Sequence, residues 1–451
     1  MTPLSASYFQ QLQQALANAG LAEPVLVIDR DRLDTNIAAL KAMLPTGMGY
    51  RIVAKSLPCA ELLEYVAAHT ETHRLMSFNT NMVMQLLALM PEANQLLGKP
   101  IPVQALRRTL EGASAQLRSQ LQNQVQWLID TPTRLAEYAE FAESAGIQLQ
   151  INLEIDVGLH RGGMEPGADL EASLNGIHQS DNLALAGLMG YEPHLTKLPN
   201  IAGWPKRAKQ GAARQFQLAL SQTAAIFGQD FARNMVRNMA GSPTFGLYSD
   251  TLLANEIAAG SALVKPSDFD LPILKEFLPA SFIATPAIKV SKGVRLPGLE
   301  YANRALGKPQ SGKTVFLHGG YWKAEPVYPG GLKNSSLFGR SSNQEMLVAP
   351  KNASIKVDDF VFLPQARAAP AAAQRGRRDI PSRRLLLRPP RVQGGEGGPL
   401  TPRERATASA RCGLQPPQPL QLTNAPLCRH CLIRAISRLP HLTVHVKHRP
   451  S

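Results

Sequence analysis

The feature that most constrains this chain is an eightfold alternation. Short apolar runs at Tyr50–Lys55, Arg74–Phe78, Asn94–Gly98, Val125–Asp130, Gln148–Asp156, Leu183–Gly190, Met235–Gly241 and Glu256–Ser261 have the length and content of β-strands. Between them lie stretches such as Ala60–His69, Thr131–Ala145 and Arg207–Phe227, long enough and apolar enough on one face to be crossover helices. Strands joined by crossover helices run parallel, and eight such units over about 215 residues are enough to close a ring. The expected class is α/β, a (β/α)8 TIM-type barrel. Its reactive groups should stand where strands run into the loops that follow them.

Both flanks differ from the barrel. Ahead of it, the run Pro24–Asp29 leads into Arg30–Leu44, where Leu33, Ile37, Leu40 and Leu44 recur at helical spacing, so a strand feeds an amphipathic helix. From about Pro266 the texture turns to β-rich pieces at Ser281–Val290, Lys313–Leu317, Glu345–Ala349 and Ser354–Leu363, with Gly-Gly pairs at 319–320 and 330–331. This reads as a second, mostly antiparallel β-domain. The expected division is a helical lead-in at 1–23, the barrel at 24–265, the β-domain at 266–363 and a tail at 364–451.

The tail has a composition of its own. From Arg367 onward, 15 Arg and one Lys stand against one Asp and two Glu, so +13 of the chain's +14 net charge sits in the last 85 residues, which hold no Phe, Tyr or Trp. The rest of the chain is electrically balanced. Nucleic acid is therefore not an expected partner, because the basic stretch has no aromatics for base stacking and the body does not continue its charge. Rich in Arg, Ala, Pro and Gly and without a sustained period, the tail is expected to be disordered. Its abrupt onset after the strand-like SIKVDDFVFL suggests a shift of reading frame near Pro364.

Three of the four cysteines, Cys412, Cys428 and Cys431, also lie in the tail, leaving Cys59 alone in the body. No disulfide framework is possible there, as befits a reducing compartment. No run approaches the roughly 18 apolar residues of a membrane span, and no Lys or Arg precedes Arg30 as it would in a signal peptide. A cytoplasmic protein without a membrane partner is expected.

The chemistry gathers at the strand ends. Lys55 closes the run YRIVAK, where a barrel places its amine at the mouth; a lysine among apolar neighbours there has a depressed pKa and can form a Schiff base. Glu154–Gly163, after the fifth run, carries two acids, His160 and Arg161 beside glycines, a polar loop suited to an anion or a phenolate. Gly187–His194, after the sixth, offers Tyr191 and His194 as groups able to move protons near pH 7. Gly241-Ser242-Pro243-Thr244 and Gly260-Ser261 end the seventh and eighth runs with small residues and hydroxyls that suit a phosphate. Singly, each is also what an ordinary turn or packed side chain looks like. Together, a Schiff-base lysine, an arginine loop and two phosphate-type turns at successive strand ends describe a pyridoxal phosphate site.

The order of Pro24–Leu44, Ala54-Lys55-Ser56, Glu154–Gly163, Gly187–His194, Gly241–Thr244 and Asn255–Ser261 resembles that of the fold-type III pyridoxal phosphate enzymes. The nearest branch is the one containing D-threonine aldolase and D-serine dehydratase, with an alanine-racemase-type N-terminal barrel, and the likeness covers roughly residues 20 to 363. It implies that Lys55 carries the cofactor as an imine and later moves the α-proton. Arg161 would lie near the phenolic oxygen, Tyr191 beside the cofactor, and Gly241, Ser242, Thr244, Gly260 and Ser261 around the phosphate. It also implies a small amino-acid substrate and a head-to-tail homodimer; His194, by its own proton chemistry, is expected as a second acid or base.

Two departures stand out. Racemases with an arginine against the pyridine nitrogen carry it where this chain has Ala258, and the His-x-Cys metal pair of the lyase branch is missing from Phe362-Leu363-Pro364-Gln365-Ala366. Cys428, Cys431, His441 and His445 have zinc-type chemistry but lie in the tail with a short spacing, so no metal is assigned. The expected activity is that of a D-amino-acid lyase; an alanine-type racemase and a non-catalytic cofactor carrier are the alternatives.

Overall fold

The computed structural model describes residues 4–57, 59–199, 201–267, 269–293, 312–322, 324–335, 340–364 and 431–434. Strand β1 is Val25–Asp29. Eight parallel strands then close a barrel in sequence order: β2 (Gly49–Val53), β3 (Arg74–Ser77), β4 (Asn94–Leu97), β5 (Val125–Ile129), β6 (Leu149–Ile155), β7 (Leu183–Gly190), β8 (Val236–Met239) and β9 (Glu256–Ala259). Each of the eight apolar runs became one stave, and the ring shuts where Ile52 of β2 lies opposite both Leu75 of β3 and Ala259 of β9. All five residues of β5 are buried, as expected of a strand covered on both faces. Local signals set the helix starts: Asn79 accepts the Met82 N–H, and Thr131 accepts the Arg134 N–H with Pro132 opening the helix behind it.

The strand starts form a polar floor. Arg51 donates to both oxygens of Glu256 at 2.6 and 3.0 Å and to the carbonyls of Leu75 and Asn94 at 3.0 and 3.1 Å. Arg74 adds a bond to Glu256 at 3.1 Å, and the Asn238 amide another at 2.8 Å. Burial works against the Glu256 carboxylate, but Arg51 and the other donors outweigh it and hold its pKa below the ordinary carboxylate range.

The second sheet contains β10 (Ser281–Lys292), β11 (Gly312–Leu317), β12 (Lys333–Asn334), β13 (Met346–Pro350) and β14 (Phe360–Pro364). They pair antiparallel, in the regions expected for a β-domain. β1 belongs to this sheet and not to the barrel: it runs antiparallel to β10, with Leu26 opposite Ile283. Val25 and Val27 pack with Tyr8, Phe9, Phe282, Phe360 and Phe362, and Leu26 and Ile28 enter the larger core shared with the barrel. Both faces of β1 are thus apolar, which anchors the lead-in helix Ala6–Asn18 and the barrel to the same strand.

Of the tail, the description covers Pro364, which ends β14, and β15 (Cys431–Arg434), which runs parallel to β1. The expectations of disorder, of a frame shift and of a cysteine and histidine cluster otherwise fall outside the described residues. Among the described residues, no helix is long and apolar enough to cross a membrane.

Candidate active site at the barrel mouth

The lysine follows β2 directly, in a single 3-10 turn, Ala54–Ser56. Its side chain is exposed, with Nζ 3.9 Å from the ring centroid of Phe78, the residue after β3. The aromatic face places the cation over the mouth and is worth about 0.5–1 kcal/mol at an exposed site. The neighbour of this turn is the end of β9. A Cβ on Gly260 would lie 2.6 Å from the Val53 carbonyl oxygen, so only glycine lets the two strand ends meet, and across the contact the Ser56 and Ser261 hydroxyls are 2.9 Å apart.

The two small-residue turns are tied to each other through Ser242. Its buried hydroxyl accepts the Gly260 N–H at 3.1 Å and the Ala262 N–H at 3.0 Å. Thr244, also buried, accepts the Gly241 N–H at 3.1 Å. The turn begins at Ala240, whose φ of 69° is left-handed, a conformation that costs a residue with a Cβ roughly 1–2 kcal/mol. Sequence reasoning offered the Gly260 N–H to a phosphate, whereas here it is held by Ser242.

Next round the ring is the loop after β6. Asp156 organises it, accepting the Gly158 and His160 N–H groups at 2.9 and 3.1 Å and meeting His160 Nδ1 at 2.9 Å. Burial pushes the Asp156 carboxyl up, but the bonds from His160 and Gly158 prevail and hold it below the ordinary range. A Cβ on Gly163, at φ 100°, would fall 2.6 Å from the Asp156 nitrogen, so the loop folds back on its own strand only with glycine there. Arg161 emerges exposed, with its guanidinium carbon 5.1 Å from the centroid of Tyr191. Beneath it, Glu154 is pushed up to about 7 by burial, with Arg161 pulling it down and Asp130 and Asp156 pushing it up.

Tyr191 closes the circle, since a Cβ on Gly241 would sit 2.6 Å from Cε2 of its ring. His194 is half-buried, and its Nδ1 has no hydrogen-bond partner among the described residues. Its pKa is lowered by burial and by the neighbouring His160, against the pull of Asp156, which favours the uncharged ring. Lys55, Ser261, Gly260, Ser242, Gly241, Thr244, Tyr191 and Arg161 are therefore linked neighbour to neighbour around one mouth, and His160 and His194 flank the Asp156 loop beside it.

Three participants carried no assigned role in the sequence. Phe78 looked like the end of a strand. Glu154 stood in the arginine loop as one of two acids, with nothing to mark it as the buried one. Glu192 lay inside the Gly187–His194 run and is fully buried; burial pushes it up to about 7, against the hydroxyls of Thr244 and Tyr248 and the Ala240 N–H. An acid at the end of an otherwise apolar strand was the one available signal. Asp156, His160 and Glu165 also bring donor atoms within 4.8 Å of one another, but both oxygens of Asp156 are already engaged in the loop.

The family described as alanine racemase, N-terminal domain, matches residues 28–268, more than half of the chain. The chain belongs to the alanine racemase N-terminal domain family. This is a pyridoxal phosphate-dependent family of fold-type III.

Similar solved structures include a D-threonine aldolase from Filomicrobium marinum, at TM-score 0.60 and 17% identity over 78% of this chain and 92% of that one. An alanine racemase of Clostridium difficile 630 in complex with cycloserine follows at 0.58 and 15% identity, over 78% and 90%. A D-threo-3-hydroxyaspartate dehydratase mutant in the metal-free form stands at 0.57 and 17%, over 78% and 93%. At such identities the likeness is one of fold. No curated protein sequence matches the chain.

The residues fit the cofactor at both of its ends. A lysine amine lies one turn from paired serine hydroxyls, and Gly260 and Gly241 let the Val53 carbonyl and the Tyr191 ring close up against the two small-residue turns. At the position of the racemase arginine, Ala258 is buried and sits opposite Arg51, whose guanidinium is committed to Glu256.

Proposed function

We propose that this protein is a pyridoxal phosphate-dependent enzyme acting at the α-carbon of an amino acid, and specifically a D-amino-acid lyase of the D-threonine aldolase or D-serine dehydratase kind. The observation that carries this reading is the 2.9 Å contact between Ser56 and Ser261, which sets the Lys55 turn directly against the phosphate-type turns. The cofactor, when bound, supplies a ring conjugated to the substrate nitrogen that withdraws electrons from the bonds at the α-carbon.

The chain's own residues then divide the remaining work. Lys55 would hold the cofactor by its aldehyde end and take or return a proton at the substrate α-carbon. Gly241, Ser242, Thr244, Gly260 and Ser261 would form the phosphate site, Gly241 and Gly260 by the shape of the turns since their N–H groups are held by Thr244 and Ser242, with Ser242 locking the two turns together. Arg161, oriented by Tyr191 and by the His160 and Asp156 loop, would lie near the phenolic oxygen. Tyr191 packs beside the cofactor, and its hydroxyl serves as a second proton carrier. His194, whose Nδ1 has no hydrogen-bond partner among the described residues, accepts a proton from a substrate β-hydroxyl, as a retro-aldol cleavage requires.

Relatives of the same fold include a D-threonine aldolase, a 3-hydroxyaspartate dehydratase and alanine racemases, and this supports chemistry at the α-carbon without fixing which bond breaks. The racemase reading is favoured by one observation: β14 runs into Pro364-Gln365-Ala366, where the lyase branch would carry its His-x-Cys pair. Incubation of the purified protein with D-threonine, D-serine and L-alanine separates the readings. Glycine with acetaldehyde, or pyruvate with ammonia, supports the lyase; D-alanine supports the racemase. A yellow protein that consumes none of them is a carrier, and both enzyme readings fail. A pairing of two copies across the mouth is part of the proposal, and sedimentation of the holoprotein tests it.

A further inference from the structure

Glu192 is a fully buried carboxylate that takes part in no ion pair among the described residues. Burying an acid without a cation is costly, and packing alone would be served as well by an apolar or amide side chain. Its surroundings show what it does there. It follows Tyr191 at the end of β7, the neighbour of β8, so its side chain reaches the turn that leaves β8. Oε2 accepts the N–H of Ala240 at 3.3 Å, on the residue held left-handed without being glycine. The hydroxyls of Thr244 and Tyr248 face the same carboxylate. Thr244 in turn accepts the Gly241 N–H, so one acid fixes the first and the last residue of the turn.

We propose that Glu192 is a positioning residue that holds the Ala240–Thr244 turn in the shape that binds the cofactor's phosphate. The inference rests on the reading of that turn as the phosphate site. Glu192 does not touch the phosphate; it acts through the Ala240 N–H and the Thr244 hydroxyl. A left-handed alanine relaxes unless something holds its N–H, and the carboxylate is what holds it. Because glycine takes this conformation without strain, Ala240→Gly should make the turn less dependent on Glu192.

Pyridoxal, which lacks the phosphate, provides the control. Dissociation constants for pyridoxal phosphate and for pyridoxal are measured by absorbance on the cofactor-stripped full chain, for wild type, Glu192→Ala, Glu192→Gln, and Ala240→Gly combined with Glu192→Ala. Wild type should prefer the phosphorylated form. Glu192→Ala should weaken pyridoxal phosphate about tenfold, the scale of one hydrogen bond to a charged group, and leave pyridoxal within twofold. Glu192→Gln, which keeps the volume and one acceptor, should fall between, and Ala240→Gly should restore part of the lost preference. Circular dichroism establishes that each variant is folded, and should Glu192→Ala fail to fold, the Gln variant decides.

If folded variants keep the wild-type preference, or lose affinity for both ligands equally, Glu192 does not position the turn, although the cofactor site stands. If wild type itself shows no preference for the phosphorylated form, the reading of the turn as a phosphate site fails, and this inference with it.

Discussion

The two ends of the barrel treat the same kind of side chain in opposite ways. At the floor, Glu256 is buried between Arg51 and Arg74, and its carboxylate is held below the ordinary range. At the mouth, Glu192 is equally buried but has no cation, and it is pushed up to about 7, as is Glu154. One end stores its charges in compensated pairs, which supports the fold. The other shifts two acids and one imidazole, Glu154, Glu192 and His194, from their ordinary pKa values, as functional sites do. On the proposed function, fold and chemistry are separated along the strands, the pattern expected of a barrel whose loops carry the chemistry.

The comparison breaks most readily at the floor. Glu256→Ala would leave Arg51 buried without its counterion, and a loss of about 3–5 kcal/mol is expected, read from the denaturation midpoint. A loss of under 1 kcal/mol would mean that the network is not the structural keystone the geometry makes it.

The pH dependence of stability sharpens the contrast because the two ends have opposite signs. Glu192 and Glu154 have folded pKa values above their unfolded 4.5, so the unfolded chain gives up these protons first. Their contribution is complete below about 4.5 and fades as pH rises through about 7, by up to about 3 kcal/mol each. Glu256 lies below its unfolded value, so its contribution is present above 4.5 and is lost as pH falls through the folded pKa. The cofactor-free protein should therefore lose stability both in acid and between pH 4.5 and 7, and Glu192→Gln should remove part of the second decline only. Chemical denaturation across pH checks both signs.

Where the staves meet at the mouth, the expected effect is smaller. Gly260→Ala places a Cβ 2.6 Å from the Val53 carbonyl oxygen and 2.9 Å from the Val53 Cβ. A destabilisation of about 1–3 kcal/mol is expected, with weakened cofactor binding alongside, because the same strand ends carry Lys55 and Ser261. Thermal melts with and without pyridoxal phosphate separate the two effects. The smallest change is expected from His160→Ala. Removing that neighbour raises the pKa of His194, since His160 holds it down and Asp156, freed of its partner, pulls it up. The acid limb of the rate profile should move to higher pH.

Much of this was legible in the sequence, for reasons tied to particular residues. Runs such as Val125–Ile129 are apolar throughout and bounded by turns, so eight staves could be counted without coordinates. The place of β1 could not be read the same way. Its partner Ile283 is more than 250 residues away from Leu26, and no local pattern encodes so distant a pairing. Lys55, Arg161 and the small-residue turns showed themselves by standing at strand ends. The Ser242 bridge and the burial of Glu192 did not, because a serine or a glutamate in a loop has the same local appearance whether it faces water or the core. What decides is how far apart neighbouring staves stand, and that is set by Gly260 and Gly241.

The central claim is that the Lys55 amine, beside the phosphate-type turns, is the group that bears the cofactor. Borohydride reduction of the pyridoxal phosphate-loaded protein, followed by peptide mapping, tests it directly. The account predicts a stable pyridoxyl label on the peptide containing Lys55, and no absorbance of bound cofactor in Lys55→Ala after reduction and unfolding. A label on any other lysine, or an unlabelled protein that still turns over substrate, would contradict it.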